Sequence, residues 1–432
     1  MTSERLQTIT PGVIGGTLRV PPSKSITHRA LIIAALSGTR TRVQRILQAE
    51  DTQLTLQALQ QLGFEFTAEA DWAEFKGQWR PPAQQPVQLW VGNSGTTARL
   101  LTAVAALLPL KVIIDGSPRM RQRPMAPLVQ ALQQLGVPIE HHDGNLPLQI
   151  QGGAISASSV TIDPRISSQF VSGLMLIAPA LPGGLTLHLT HTPSSQSYIE
   201  LTRKLMQQFG ITVEWQENYI SVLPGRYQLP EVYTVEGDFS SASYFLIGSH
   251  LSGGQVTVKG MTMNSPQGDK EIVPILKAAG ARIREVADGI QVKGTATIKP
   301  IDWQMQHCPD LVPGVAVMCA FAAAPSYLRQ VEHLRYKESD RIAAVTENLQ
   351  RLGAMVHYQK GTLIIEPQPL RGAVIRTFDD HRIAMAFALA GLRIPGVKIA
   401  NPECVGKSYP SFWEDWQQLV QTDKVRHIEN DS

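Results

Sequence analysis

The segment PSKSITHRALIIAALSG, Pro22 to Gly38, joins a cationic, hydroxyl-rich turn directly to a helix-length run of apolar residues. The first N–H groups of a helix have no partner within it, and the helix dipole favours negative charge there, so such a start is suited to an anion. Lys24 and Arg29 add full charges to those directed donors, and phosphate or carboxylate is the guest they fit. A Ser-capped core helix with two solvated cations would look the same in isolation. Recurrence separates the two readings.

A small, polar or charged opening followed by an apolar run appears five more times. The segments are NSGTTARLLTAVAALLP from Asn93, SSQFVSGLMLIAPALPGG from Ser167, DFSSASYFLIGSHLSGG from Asp238, PDLVPGVAVMCAFAAAP from Pro309 and DDHRIAMAFALAGLRIPG from Asp379. Successive starts lie about 70 residues apart, the signature of an internal repeat. A second ladder runs in phase with the first: LQALQQLGFEF, VQALQQLGVPI, LMQQFGITVEW, LKAAGARIREV and LQRLGAMVHY, with glycines at Gly63, Gly136, Gly210, Gly280 and Gly353. The sixth copy is FWEDWQQLVQTD, without the glycine.

Each unit therefore reads as strand, buried helix, strand, amphipathic helix and strands. The first helices are apolar nearly all round and belong inside; the second carry one apolar face and belong outside the sheet layer or at its rim. Six units divide as three and three. The expected fold is α/β (α+β), with two similar domains of three βαβαββ units, parallel helices buried and sheets outside. The first domain spans 21–235, and the second combines 1–20 with 236–432. LPGRYQLPEVYTVEG carries the proline and glycine of a crossing, and GGTLRV, Gly15 to Val20, is expected to pair with the C-terminal half. Parallel helices would direct their N-termini into the cleft between the domains, where an active site is expected.

Composition narrows the class. With 432 residues, 43% hydrophobic, the chain exceeds one ordinary core. A net charge of +3 with 6% aromatic residues excludes a general nucleic-acid binder. Three cysteines, Cys308, Cys319 and Cys404, offer neither a disulfide framework nor zinc-ligand spacing, which fits a reducing cytoplasmic setting without a metal. The opening MTSERLQTIT lacks an export-signal pattern, and no uncharged apolar run is long enough to span a bilayer.

The charged residues gather in few places. PRMRQRP holds Arg119, Arg121 and Arg123, of which one is expected to clamp a carboxylate or phosphate. LRYKESDRIAAV is expected to start a helix on which Lys337 and Arg341, an i, i+4 pair, repel unless an anion bridges them, with Glu338 beside them. A solvated ion-pair network is the alternative there. Asp379 to Arg382 and GKSYP add His381, Arg382 and Lys407; His381 is a proton shuttle or a structural hydrogen-bonder. With the amides and hydroxyls of Ser167, Ser168, Gln169, Ser195 and Tyr198, these cations suit polyanionic small molecules, and Asp310 and Glu338 are the candidate proton-transfer carboxylates. No P-loop is present, which argues against a nucleotide-dependent kinase.

The chain resembles the 3-phosphoshikimate 1-carboxyvinyltransferase (EPSP synthase) family. PSKSITHRA, GNSGTTARLL, PRMRQRP, SSQF, SYIE, EGDFSSASYF, QGD, PDLVP, RYKESDR, DDHRIAMA and GKSYPSF stand in family order. The resemblance implies transfer of the enolpyruvyl group of phosphoenolpyruvate to the 5-hydroxyl of shikimate 3-phosphate in the shikimate pathway, by a monomer using no metal or organic cofactor. By matched positions, Lys24, Ser25, Arg29, Ser167, Ser168, Gln169, Ser195 and Tyr198 would bind phosphoshikimate. Gly95, Arg123, Arg341, Arg382 and Lys407 would hold phosphoenolpyruvate, with Lys24 also reaching it, and Asn93 and His381 would bind substrate. Asp310 would act as base, Glu338 as acid, and Lys337 and His333 would bind substrate. His333 stands where an Asn is common, His28 replaces an Asn, Ser94 an Ala, and Leu100 a frequent Pro. Two competing readings are the UDP-N-acetylglucosamine carboxyvinyltransferase, whose loop cysteine has no counterpart in PRMRQRP, and a non-catalytic binder of phosphorylated ligands.

Overall fold

The computed structural model describes residues 5–421; the first four residues of MTSERLQTIT and the last two of FWEDWQQLVQTD lie outside them. The chain divides into two compact units, one formed by Pro22–Glu236 and the other by Met1–Pro21 with Gly237–Ser432. In the first, the helices are α1 (Lys24–Leu36), α2 (Glu50–Gln61), α3 (Gly95–Leu107), α4 (Pro118–Gln122), α5 (Ala126–Gln134), α6 (Ser168–Ile177) and α7 (Gln196–Gln208). In the second they are α8 (Phe239–Ser252), α9 (Ile272–Ala278), α10 (Val312–Cys319), α11 (Arg341–Arg351), α12 (His381–Ala388) and α13 (Phe412–Leu419).

Helices α1, α3 and α6 touch one another in the core of the first unit. In the second, α10 packs against both α8 and α12. Every residue of α8, α10 and α12 is buried, as expected of runs apolar on all sides. The sheets wrap these helices, and strands such as Asn145–Gln151 alternate buried and exposed side chains, the pattern of a sheet with one face on the core.

Three sheets surround the first unit. Their strand orders are Val232–Thr234, Arg40–Gln44, Trp72–Trp79, Phe64–Glu69; then Val87–Trp90, Lys111–Asp115, Asn145–Gln151, Ile139–His142; then Ser159–Ile162, Leu185–Leu189, Tyr219–Val222, Val213–Gln216. In each, the first two strands are parallel and the others antiparallel, which is one βαβαββ unit. Two sheets of the second unit repeat the pattern, beginning with the parallel pairs Val13–Arg19 with Gln255–Lys259 and Asp302–Gln304 with Ser326–Arg329.

The leading strand of each unit is supplied from a distant part of the chain. Val13–Arg19 precedes the passage at Pro21 yet pairs with Gln255–Lys259, and Val232–Thr234, last in its unit, pairs with Arg40–Gln44. The sixth βαβαββ unit departs from expectation. Val374–Ile375 and Lys398–Ala400 form the parallel pair, but among the described residues no hairpin follows them; Leu6–Thr8 pairs antiparallel with Lys398–Ala400, and Val420–Gln421 crosses to Val13–Ile14. The chain's beginning thus completes its last repeat.

The amphipathic helices lie at the rim beside the buried helices. Helices α2, α5 and α11 each reach the first strand of the next sheet, so their apolar face seals the joint between two sheets. The glycines that end these helices have φ between +82° and +104° at Gly63, Gly136, Gly210, Gly280 and Gly353. Only a residue without Cβ adopts that conformation at little cost, and it lets the next N–H turn back onto the helix, as in Val137 N–H to the Leu132 carbonyl at 3.1 Å and Ile211 N–H to the Met206 carbonyl at 2.9 Å.

Close approach of the buried helices depends on small residues. A Cβ on Gly173 in α6 would lie 3.1 Å from the Arg99 carbonyl and 3.3 Å from the Ala103 side chain in α3. Gly173→Leu should therefore force the two helices apart and lower stability by about 1–3 kcal/mol, read as a lower urea midpoint; an unchanged midpoint would show that the packing has slack.

Candidate active site

The starts of the buried helices in each unit lie together. In the first unit Arg99, in the first turn of α3, donates to the Gln169 side chain in the first turn of α6 at 2.6 Å, and Arg29 of α1 reaches Ser172 of α6 at 3.3 Å. In the second, Arg382, in the first turn of α12, donates to Asp310 just ahead of α10 at 2.7 Å.

Around α1, Lys24 donates to the buried Asp51 of α2 at 3.1 Å. Arg29 is buried, and no carboxylate holds it. Its Nε donates to Thr202 Oγ1 at 2.7 Å, Nη1 to the Ser25 carbonyl at 2.9 Å, and Nη2 to Ser172 Oγ and the Tyr198 carbonyl, both at 3.3 Å. Burial pushes its pKa down to about 10, against the influence of Tyr198. This cation fixes Ser25 and Tyr198 while keeping its positive field uncompensated.

Around α3, Ser94 caps the helix and Gly95 is its first residue. Arg123 Nη1 donates to the Asn93 carbonyl at 2.9 Å and to Asn93 Oδ1 at 3.3 Å. The guanidinium can lie there because Gly95 has no side chain: a Cβ would stand 2.5 Å from Arg123 Nη2. Of the three arginines of PRMRQRP, Arg121 is spent on Asp115 at the surface, and Arg123 is the one buried over a helix start. At α6, Ser167 is the N-cap, Ser168 is buried, and Gln169 is gripped by Arg99 and donates to Thr96 Oγ1 at 2.9 Å. Ser195, buried ahead of α7, holds a left-handed φ of 55° and accepts from the Tyr198 N–H at 3.0 Å.

The second unit gathers its charges on Arg341, which is 1% exposed. Nη1 donates to Asp310 Oδ1 at 2.7 Å, Nη2 to Glu338 Oε2 at 2.7 Å, and Nε to Asp380 Oδ2 at 2.8 Å. Arg382 takes the other oxygen of Asp310. Burial alone would raise the Asp310 pKa, but Arg382, Arg341 and then Lys337 outweigh it and hold the carboxyl well below the usual range. Asp269 is pushed the other way, up to about 7, by burial and the charge of Asp310, against Arg382 and a bond from Ser240.

The expected helical pair Lys337 and Arg341 is not formed. Glu332–Tyr336 make a 3-10 turn that ends at Lys337, and α11 starts at Arg341 because Asp340 caps it, accepting from the Ala343 N–H at 3.1 Å. Arg341 is held by three carboxylates, so no bridging anion is needed to settle it. His333 lies in the same 3-10 turn, where burial and then Lys337 push its pKa down to about 3. His381 is fully buried, with Nδ1 3.8 Å from Asp380 Oδ1, too far for a hydrogen bond. Lys407 ends the 3-10 turn Pro402–Lys407, which packs on α12.

Asp51 and Asp269 were not among the expected site residues, whereas Arg99 and Asp380 stand in helix openings that the sequence marks as walls of the site. Asp51 reads in the sequence as an ordinary first-turn acid, and its partner Lys24 stands 27 residues away. Asp380 supports the site in two ways, holding Arg341 and accepting from the Arg382 N–H at 3.0 Å. Among the described residues no three His, Cys, Asp or Glu side chains are grouped as metal ligands, and no helix is long and apolar enough to cross a membrane.

Two sets of βαβαββ units, each presenting charged helix starts, define a two-unit inside-out α/β barrel protein. The same fold occurs in a solved EPSP synthase structure from Acinetobacter baumannii, with TM-score 0.80, 26% identity, and coverage of 97% of this chain and 99% of that one. The family model for EPSP synthase (3-phosphoshikimate 1-carboxyvinyltransferase) matches residues 9–416. A curated 3-phosphoshikimate 1-carboxyvinyltransferase of Methanoculleus marisnigri is 41% identical over 409 residues, covering 93% of this chain and 96% of the relative; one from a Nostoc species is 36% identical over 413 residues, covering 94% and 97%. The chain belongs to the EPSP synthase family.

His28 of α1 is fully buried among these groups, and burial pushes its pKa down to about 3 from an ordinary 6.5. The unfolded chain then binds a proton that the folded chain refuses, so the stabilisation is complete above pH 6.5 and is lost as pH falls toward 3. Between pH 7 and pH 5 His28 should remove about 2 kcal/mol of unfolding free energy. Urea unfolding at both pH values should show His28→Asn losing less stability than the parent on acidification, and equal losses would contradict the assignment.

Proposed function

We propose that the chain transfers the enolpyruvyl group of phosphoenolpyruvate to the 5-hydroxyl of shikimate 3-phosphate, releasing phosphate by addition and elimination, and that residues of both units serve this one reaction. The observation that carries the proposal is the contrast in charge compensation. Arg29 is buried with neutral partners only, which favours an anionic ligand, whereas Asp310 is clamped by Arg341 and Arg382 and stays ionised.

In this mechanism Lys24, Ser25, Arg29, Ser167, Ser168, Gln169, Ser195 and Tyr198 hold shikimate 3-phosphate, with Lys337 and His333 assisting. Gly95, Arg123, Arg341, Arg382 and Lys407 hold phosphoenolpyruvate, Lys24 also reaches it, and Asn93 and His381 contribute to substrate binding. Glu338 protonates the methylene carbon, which makes C2 electrophilic, while Asp310 takes the hydroxyl proton as the oxygen attacks. A carboxylate held so far below its usual pKa is a weak base, so this proton moves in step with C–O bond formation rather than before it. In elimination the methyl group returns a proton to Glu338, the C–O bond to phosphate breaks, and the hydroxyl proton leaves with phosphate. Cations already in place at the helix starts need no reorganisation when charge develops. We take the enzyme to be a cytoplasmic monomer that uses no cofactor and engages neither nucleic acid nor membrane.

The test is phosphate release from phosphoenolpyruvate with shikimate 3-phosphate, with UDP-N-acetylglucosamine, and with no acceptor. Release with shikimate 3-phosphate alone is expected; release with the sugar nucleotide, or with neither, would overturn the proposal. Gly95→Ala, whose Cβ displaces the Arg123 guanidinium, should lower kcat/KM for phosphoenolpyruvate at least tenfold, about 1.4 kcal/mol of transition-state stabilisation.

A further inference from the structure

A chain of buried hydroxyls joins the start of α1 to the start of α3. His28 Nδ1 lies 2.8 Å from Thr55 Oγ1 in α2, Thr55 Oγ1 lies 2.8 Å from Thr97 Oγ1 in α3, and Thr97 Oγ1 lies 2.7 Å from the α3 cap, Ser94 Oγ. Thr97 Oγ1 also donates to the Asp51 carbonyl at 3.0 Å, on the residue whose carboxylate holds Lys24. His28, Thr55, Thr97 and Ser94 are all completely buried.

Proton accounting fixes the direction of the chain. His28 is neutral and has one N–H to place, and its Nε2 meets no hydrogen-bond partner among the described residues. A buried N–H without an acceptor costs more than the partnered arrangement, so the proton sits on Nδ1 and points at Thr55. Thr55 then donates to Thr97 at 2.8 Å in preference to the Asp51 carbonyl at 3.4 Å, and Thr97 accepts from Ser94 and passes its own proton to that carbonyl. Each hydroxyl is thereby committed, and a single rotamer is specified at each position.

We infer that the His28–Thr55–Thr97 chain is a positioning device that sets the placement of the Ser94 cap and the Gly95–Arg123 corner, and so determines affinity on the phosphoenolpyruvate side. The chain runs from His28 to the Ser94 cap immediately before Gly95, and it meets Asp51 only at the backbone carbonyl, not at the carboxylate that grips Lys24. The phosphoshikimate-side groups Ser167, Ser168, Ser195 and Tyr198 are absent from it. None of its members touches substrate in the mechanism above; they act through the residues they hold. The assignment of the corner to phosphoenolpyruvate rests on the proposed function, whereas the placement itself does not.

Thr55→Val removes the hydroxyl at nearly constant volume, and Thr55→Ser restores it. The expected result is a phosphoenolpyruvate KM at least tenfold higher in Thr55→Val, shikimate 3-phosphate binding within about twofold of the parent, and both values restored in Thr55→Ser. A merely structural role would shift both ligands together. An unchanged KM, or a joint shift, would overturn the inference. Backbone hydrogen exchange supplies a readout that needs no activity: the amides of Gly95 to Thr97 should exchange faster in Thr55→Val than in the parent while those of α6 do not, and equal exchange would again overturn it. A parent enzyme without turnover would sink the proposed function and leave the exchange result to decide the placement. Should Thr55→Val fail to fold, Thr97→Val breaks the same link from its other side and must show the same split between ligands.

Discussion

The second unit is organised by a buried cation that cannot be left alone. Arg341 sits where water does not reach, and an unpaired guanidinium there would be prohibitive. Burial opposes its charge, but Asp380, Glu338 and Asp310 more than offset that and drive its pKa upward. Those three carboxylates come from different elements, the start of α12, the segment before α11 and the turn leading into α10, so satisfying one charge fixes three pieces of chain relative to one another. Asp380 adds bonds to Ser339 Oγ at 3.0 Å and to the Arg382 N–H, which sets the position of the second cation on Asp310.

The first unit solves the opposite problem. Arg29 is equally buried, yet four of its five N–H bonds go to hydroxyls and carbonyls, and none to a carboxylate. Neutral donors and acceptors keep the guanidinium in one place without cancelling its field. The two units therefore carry different electrostatics: one balances its buried arginine with carboxylates, the other leaves its buried arginine without one. The difference lies in the side chains around each buried guanidinium, Arg29 within the buried helix α1 and Arg341 at the start of the amphipathic helix α11.

Much of this was legible in the sequence, because the decisive signals are local. A helix that must be buried on every side is apolar on every side, and a charged opening in front of it reads at once as a helix start inside the molecule. The ladder of glycines has an equally local cause, the left-handed conformation that ends each amphipathic helix. Long-range pairings left no such trace. Nothing near Leu6 announces that it will pair with Ala400, and no spacing links Lys24 to Asp51 or Arg341 to Asp380. Lys337 and Arg341 misled for a related reason: their spacing fits a helix, but Asp340 is a stronger cap than anything at Lys337, so the helix begins after the supposed pair. Among Arg119, Arg121 and Arg123, only the structure shows that it is Arg123 whose guanidinium lies against Gly95, distant in the chain.

The most direct test of this electrostatic arrangement is the titration of Asp310 itself, followed by the carboxyl carbon resonance of 13C-labelled aspartate, assigned with Asp310→Asn. Two guanidiniums 2.7 Å from its oxygens should keep the resonance at its ionised position throughout the range from pH 7 to pH 4. A midpoint within that range would mean that burial prevails over Arg341 and Arg382, and would contradict the view that these helix starts hold an ionised carboxylate ready for the reaction.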